Sequence, residues 1–217
     1  MKLSVRRADL LDHVYGQLKA FFPDRMRIRK SELAASFGRS LDRAEFCFSH
    51  INAKYFTQGK TVQFNHLHAD QYAMFLYLLS NTLYKDGADR NLCAKVFQLN
   101  RCLHGLDAFY EVGLPDIFLL VHPLGTVLGR ATYQNYFMVY QQCNVGSNDD
   151  VYPSFQEYVC LHPGASVLGN CHVGKNSRIA AGSLLLDNDL KSNSLYIGNP
   201  RSYTIQTRTK LPDIWRK

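Results

Sequence analysis

The sequence has no apolar run approaching the roughly 18 residues that a membrane-spanning helix requires. Its N-terminal stretch carries Lys2, Arg6 and Arg7 where a secretory signal would need an apolar core, so secretion is not expected. The six cysteines form no CxxC pair and no zinc-ligand spacing. Reduced, buried thiols in a cytoplasmic protein without a membrane span or a metal site are the expected outcome.

The sequence also lacks any sign of nucleic-acid binding other than its formal charge of +7. The basic residues do not cluster with interleaved aromatic residues, and no nucleic-acid-binding motif is present. We therefore expect no nucleic-acid partner. The same positive charge would suit a small ligand that carries phosphate groups.

Residues 1–105 have the apolar spacing of three and four that predicts helices. The periodic segments are LLDHVYGQLKAFF, SELAASFGRSLDRAEF, ADQYAMFLYLLSNTLY and NLCAKVFQLNRCLHGL. Ser31 with Glu32, and Asp70, are interpreted as helix-start residues. Alternation around Gln58-Gly59 predicts a hairpin between the second and third helices. Residues 1–105 are therefore predicted to be a mainly helical N-terminal domain.

After residue 106 a period of six replaces the helical period. One run of aliphatic residues comprises Leu161, Val167, Val173, Ile179 and Leu185, and an upstream run comprises Val121, Val127, Tyr133, Val139 and Val145. Small residues follow most of these positions four residues later. Such hexads are typical of a parallel β-helix, in which the aliphatic residue points inward and the small residue lies at a corner.

The predicted fold is therefore α+β, with the helical domain followed by a β-helix over residues 106–200 and a C-terminal tail over 201–217. Between the two runs, the segment 147–154 is polar, contains Pro153 and breaks the period, so it is expected to protrude as a loop. Loops that leave a rigid scaffold often carry function.

The β-helix region resembles the hexapeptide-repeat acyltransferases, whose coil is left-handed. It resembles most the serine acetyltransferase branch and the transferases of that branch associated with surface-polysaccharide synthesis. The matching segments are LLVHPLGTVLG, NYFMVYQQCNVGS, VLGNCHVGKNSRIAAGSLLL and GNPRSY. The resemblance implies a left-handed parallel β-helix and an acyltransferase that uses an acyl-CoA, most simply acetyl-CoA.

The resemblance implies that His122 is the general base and that Asp107, fifteen residues earlier, orients it. The chemistry is consistent, because an alcohol attacks a thioester efficiently only when a base removes its proton. A carboxylate on the other ring nitrogen fixes the tautomer and stabilises the imidazolium. The alternative is that His122 has only a structural role. If Asp107 points elsewhere, Glu111 and Asp116 are the other candidates for the carboxylate that orients His122.

The candidate substrate-binding residues are Val121, Gln141 and Tyr152. In serine acetyltransferases the residue before the catalytic histidine is acidic, and the protruding loop ends in arginine and histidine. Here those positions hold Val121, Val151 and Tyr152. A zwitterionic acceptor needs charged groups to meet its carboxylate and ammonium. These departures favour a sugar hydroxyl over free serine as the acceptor.

The candidate residues for the acyl-CoA donor follow from the resemblance alone. They are Gly146, Ser147, Pro163 and Ala181, with Lys191 and Arg201 as candidate phosphate contacts. His66 and His68 are too few to indicate a metal site.

The sequence thus predicts an O-acetyltransferase acting on a sugar or a sugar-containing intermediate. The alternatives are a serine O-acetyltransferase of cysteine biosynthesis, a sugar N-acyltransferase, and an inactive β-helix that serves as a scaffold. The resemblance also implies a homotrimer, which contacts between the N-terminal helices would double to a hexamer.

Overall fold

Four helices and a small sheet form the first hundred residues of the computed structural model, which describes residues 1–216. The helices are α1 (Arg7–Phe21), α2 (Lys30–Ser49), α3 (Ala69–Lys85) and α4 (Arg90–His104). The strands are β1 (Lys2–Leu3), β2 (Thr57–Gln58) and β3 (Thr61–Phe64), in the order β1-β3-β2. The four helices occupy the segments that the apolar spacing predicts, and β2 and β3 form the predicted antiparallel hairpin.

Helix α3 is the centre of the helical region, and its residues from Asp70 to Leu83 are all buried. It packs between α2 and α4 and also contacts the strand at residues 118–120. The Tyr77 hydroxyl donates to Val112 O at 2.6 Å and accepts from Leu114 N–H at 2.9 Å. These two bonds fix the start of the coil against α3.

The following residues form a parallel coil with three flat faces. A six-stranded face contains β5 (Phe118–Leu120), β8 (Phe137–Val139), β11 (Cys160–Leu161), β14 (Arg178–Ile179), β16 (Ser194–Asn199) and β17 (Ser202–Thr207). A five-stranded face contains β4 (Asp107–Ala108), β6 (Val127–Leu128), β9 (Asn144–Gly146), β12 (Ser166–Leu168) and β15 (Leu184–Leu186). A three-stranded face contains β7 (Thr132–Tyr133), β10 (Ser154–Phe155) and β13 (His172–Val173). The predicted architecture, a helical part followed by a parallel β-helix, is confirmed.

The downstream hexads have the predicted register. The inward aliphatic residues are essentially fully buried: Leu161, Val167, Val173, Ile179 and Leu185. Cys160 pairs with Arg178, and Ser166 pairs with Leu184, which is a spacing of 18 residues in both cases. Three hexads therefore close one turn, as the period of six predicts.

The upstream run departs from the predicted register in the first turn. Leu120 pairs with Val139 and Leu128 pairs with Val145, so Leu120 and Leu128 are the inward residues. Val127 instead faces outward with 42% of its surface exposed. The prediction that Val121 and Val127 point inward was wrong. The inward residues Leu120 and Leu128 are eight positions apart instead of six, so this hexad contains two extra residues. Those extra residues lie at the corner that contains His122.

The chain after β17 runs back along the six-stranded face to the helical region. We call residues 208–216 the C-terminal strap. Its first end is held by Asn176 Nδ2, which donates to the carbonyls of Arg208 and Thr209 at 3.2 and 3.3 Å. Its other end is held by Asn52 N–H, which donates to Ile214 O at 2.6 Å. The remainder of the predicted tail, Lys217, lies outside the described residues.

Five of the six cysteines are buried, Cys102 is exposed, and all are free thiols. Within residues 1–216, no helix combines the length and the apolar character that crossing a bilayer takes.

Candidate active site

One corner of the coil carries several of the predicted site residues in a single column. This edge, which we call the His122 corner, follows the six-stranded face and precedes the five-stranded face. Successive turns are linked there by hydrogen bonds from Gln142 N–H to Leu124 O, from Gly164 N–H to Gln141 O, and from Gly182 N–H to Pro163 O, at 2.9–3.0 Å. His122, Gln141, Pro163 and Ala181 therefore occupy one edge of the coil.

His122 lies at the start of this corner in a left-handed conformation with φ of 47°. Other non-glycine residues where the coil turns, such as Gln142 and Asn176, share this conformation, so it reflects the tight turning of the chain. The His122 side chain is 77% exposed, so its imidazole is open to solvent and to ligands. It is not a core histidine.

The carboxylate beside His122 comes from helix α3. Asp70 Oδ1 accepts a hydrogen bond from the His122 backbone N–H at 3.0 Å and lies 3.6 Å from its Nδ1. The Asp70 side chain is only 9% exposed, so its position is fixed by the surrounding helices. The distance of 3.6 Å is longer than a hydrogen bond, and Asp70 therefore acts on the ring through its charge.

This arrangement favours one tautomer of the neutral imidazole. A carboxylate near Nδ1 stabilises the proton on that nitrogen and leaves Nε2 as the basic atom. During proton transfer to Nε2, the negative charge of Asp70 would lie next to the positive charge that forms on the ring. The His122–Asp70 pair can thus perform general-base chemistry at the surface of the coil.

The structure does not bring the predicted partner Asp107 to His122. Asp107 begins β4 and pairs with Val127 on the five-stranded face, five residues beyond His122. Its Oδ2 lies 3.4 Å from Arg101 Nε. A regular turn takes 18 residues, and in the first turn Asp107 pairs with Val127, so a spacing of fifteen residues does not stack Asp107 on His122. Of the two replacements, Glu111 lies near Arg90 and Arg130, and Asp116 lines a cleft beside α2.

The candidate substrate-binding residues lie in different environments. Gln141 belongs to the His122 corner, and its Oε1 is buried without a hydrogen-bond partner in residues 1–216. Val121 is half-buried directly before His122. Val151 and Tyr152 are exposed in the segment 147–154, where an antiparallel bridge pairs Asn148 with Val151. A buried acceptor without a partner is uncommon in folded proteins.

The donor candidates fall into two groups. Pro163 and Ala181 lie on the His122 corner, and the turn with Arg201 lies beside it, because Gly198 N–H donates to Ser183 Oγ at 3.0 Å. The others lie elsewhere. Gly146 is the last residue of β9 on the five-stranded face and Ser147 follows it, and Lys191 follows Leu190, which pairs with Val173 on the three-stranded face.

Sequence reasoning did not find Asp70 as part of the site. It assigned Asp70 to the start of α3, where acidic residues are common. The structure places it in the first turn of α3, but its carboxylate faces His122, 52 residues away. No periodicity connects the two residues, so only the packing of α3 against the coil reveals the pair.

Metal binding was not expected from His66 and His68. His66 Nδ1 lies 2.8 Å from Ser4 Oγ, and the His68 ring packs against Tyr55 and Phe56. Within residues 1–216, no group of three or more metal-binding side chains is found.

No protein-family model matches the chain. Serine acetyltransferases are among its sequence relatives. The enzyme of Synechococcus elongatus is 32% identical over 107 residues, which cover 47% of this chain and 43% of that protein. The enzyme of Bacillus subtilis is 26% identical over 145 residues, which cover 64% of this chain and 66% of that protein. The chain spans about half the length of the first relatives it matches.

Solved structures of serine acetyltransferases share the fold. The enzyme from Brucella abortus superposes with a TM-score of 0.72 at 20% identity, over 95% of this chain and 85% of that one. A structure of serine acetyltransferase from the same organism in complex with coenzyme A superposes with a TM-score of 0.64 at 19% identity, over 94% and 76%. These superpositions extend over the helical part and the coil together.

Proposed function

We propose that the chain transfers an acetyl group from acetyl-CoA to the hydroxyl of L-serine at the His122 corner. The observation that carries the proposal is the exposed imidazole of His122, whose Nδ1 faces the buried carboxylate of Asp70. The similarity to serine acetyltransferases supports the choice of donor and acceptor. An acetyltransferase needs a base of this kind and no metal for the proton transfer.

The proposed reaction is a direct transfer with both substrates bound. His122 Nε2 takes the proton from the acceptor hydroxyl as its oxygen attacks the thioester carbonyl. The tetrahedral intermediate then collapses, the new ester C–O bond remains, and the C–S bond to coenzyme A breaks. The imidazolium returns its proton to the departing thiolate, which restores the neutral base.

The acyl-CoA is proposed to lie along the His122 corner, past Pro163 and Ala181. Its amide groups would find hydrogen-bonding partners along the turns, including the unpaired Gln141 Oε1. Asp70 is proposed as the positioning residue for His122, in the role that the sequence assigned to Asp107.

A second copy of the chain is proposed to complete the site. Leu124 and Val127 are exposed apolar residues at and just after the His122 corner. Burying them against a neighbouring coil would stabilise a trimer, at about 25 cal/mol for each Å² of apolar surface removed from water. The protruding loop of one coil would then approach the His122 corner of the next.

The proposal is tested by release of free coenzyme A thiol from acetyl-CoA and L-serine. Turnover that depends on serine is the expected result. Thiol release at the rate of a serine-free control would reject serine as the acceptor.

A sugar hydroxyl is the second candidate acceptor, and a specific observation favours it. Val121, Val151 and Tyr152 are uncharged at positions where a serine-binding site needs charges to pair with the substrate. Asp70 provides a carboxylate near His122, but neither Val151 nor Tyr152 can pair with a substrate carboxylate. Thiol release with a hexose or a hexosamine, but not with serine, would support this candidate, and mass spectrometry of the product would distinguish O- from N-acylation.

A further inference from the structure

A pocket distinct from the His122 corner lies between the six-stranded face and the C-terminal strap. Its volume is ≈ 270 Å³. The coil contributes Tyr140, His162 and Arg178, and the strap contributes Arg208 and Lys210. The Tyr140 and His162 rings stack with centroids 5.6 Å apart and an interplanar angle of 12°, which gives the pocket one aromatic wall.

The pocket carries more positive charge than its own side chains neutralise. Three cations and one carboxylate line it, and that carboxylate, on Asp213, accepts a hydrogen bond from Lys210 at 2.8 Å. Arg178 Nε is buried and has no hydrogen-bond partner among residues 1–216. A buried guanidinium N–H without a partner is costly, so a missing acceptor is expected at this position.

The pKa values of two lining residues are lowered mainly by burial and further by neighbouring positive charge. Burial lowers the pKa of Arg178, and nearby Arg208 lowers it further. Burial also lowers the pKa of His162, with further contributions from Arg178 and Arg208. A bound anion would relieve the repulsion between these groups.

We propose that this pocket binds a phosphate or diphosphate group, held by Arg178 and Arg208. A guanidinium offers parallel N–H donors that match phosphate oxygens. The aromatic wall would let a planar or ring-shaped group lie next to the phosphate. Neither Lys191 nor Arg201, the sequence-based candidates for phosphate contact, lines the pocket.

The pocket adjoins the His122 corner. His162 immediately precedes Pro163, and Arg178 lies three residues before Ala181, so the pocket opens beside the path proposed for the donor. The phosphate could therefore belong to coenzyme A or to another phosphorylated molecule. The inference depends on the charges of the pocket and does not require acetyl transfer.

The experiment is calorimetric titration of the full chain with inorganic pyrophosphate, coenzyme A and 3′-dephospho-coenzyme A. The variants are Arg208→Ala, on the exposed strap, and Arg178→Gln. Arg216→Ala is the matched control, because Arg216 also anchors the strap, through Gly59 O at 3.3 Å, without lining the pocket. Thermal unfolding confirms that each variant is folded.

We expect Arg208→Ala and Arg178→Gln each to weaken binding of pyrophosphate by about tenfold or more, since hydrogen bonds to charged groups are among the stronger ones. Arg216→Ala should bind as the wild type does. If the pocket variants bind coenzyme A and 3′-dephospho-coenzyme A more weakly to the same extent, the pocket holds the diphosphate of coenzyme A. If only the affinity for coenzyme A falls, the pocket holds the 3′-phosphate. If only the affinity for pyrophosphate falls, the phosphate group that the pocket binds belongs to another molecule.

No pyrophosphate binding by the wild type, or binding that neither pocket variant changes, would overturn the inference. His122→Ala separates this outcome from failure of the proposed function, because it should lower turnover by about 10²-fold or more and leave pyrophosphate affinity unchanged. Thiol release without pyrophosphate binding would reject the pocket alone.

Discussion

Replacing Asp70 with Asn tests whether this carboxylate is the partner of His122. Asn retains an oxygen that accepts the hydrogen bond from His122 N–H, which is 3.0 Å long. The substitution therefore keeps the size of the side chain and this acceptor, and it replaces the negative charge by a neutral amide. Asp70 is buried in the first turn of α3, and because Asn has nearly the same size as Asp, the variant is compatible with the packing of the helices.

The distance between Asp70 Oδ1 and His122 Nδ1, 3.6 Å, sets the expected size of the effect. Coulomb's law at this distance gives about 1 kcal/mol with the dielectric constant of water and about 4–5 kcal/mol with an effective value of 20. The His122 side chain is 77% exposed, so screening favours the lower part of this range. A loss of about 1–2 kcal/mol of imidazolium stabilisation corresponds to a decrease of roughly 5- to 30-fold in kcat.

The assay is thiol release from acetyl-CoA, with kcat and KM for the acceptor measured separately. We expect Asp70→Asn to lower kcat, and the matched variant Asp107→Asn to leave it unchanged, because Asp107 pairs with Arg101. A large decrease in kcat for Asp107→Asn, with no effect of Asp70→Asn, would refute the assignment and restore the partner that the sequence predicts.

Other consequences of the structure concern stability and assembly. Tyr77→Phe removes the bonds to Val112 and Leu114, so it should lower the free energy of unfolding in urea by about 2–3 kcal/mol; an unchanged midpoint would contradict this. Burial lowers the pKa of His104 to about 4 from 6.5, so the unfolded chain binds the extra proton between these values. Stability should therefore fall by about 1–3 kcal/mol from pH 7 to pH 4.5, and the fall should be smaller in His104→Leu. Val127→Glu should convert the proposed trimer into a folded monomer, as measured by its molar mass in light scattering. A variant that is still trimeric would exclude this face from the interface.

The sequence predicted the fold well because its two periods are strong and local. A spacing of three and four identified all four helices, and the downstream hexads place residues such as Val167 and Ile179 correctly in the core. The prediction was wrong where the period is interrupted. Between Leu120 and Leu128 the chain inserts extra residues at the His122 corner, and extrapolation of the hexads then placed Val127 inside.

The site was predicted less completely than the fold. His122 could be proposed from the segment around it, because the residues before and after it match a known pattern. Asp70 could not, since its carboxylate reaches His122 only through the packing of α3 against β5. The pocket under the C-terminal strap was equally inaccessible, because Arg178 and Arg208 meet only when the strap folds back over the coil.

The measurement that tests the account most directly compares His122→Ala with His172→Ala. His172 is also an exposed histidine of the coil, and its Nδ1 lies 2.9 Å from Asp189 Oδ1, so it is a matched control. We predict that His122→Ala lowers kcat for thiol release from acetyl-CoA in the presence of the active acceptor by about 10²-fold or more, while His172→Ala behaves as the wild type does. Retention of wild-type kcat by His122→Ala would contradict the proposed role of the His122 corner.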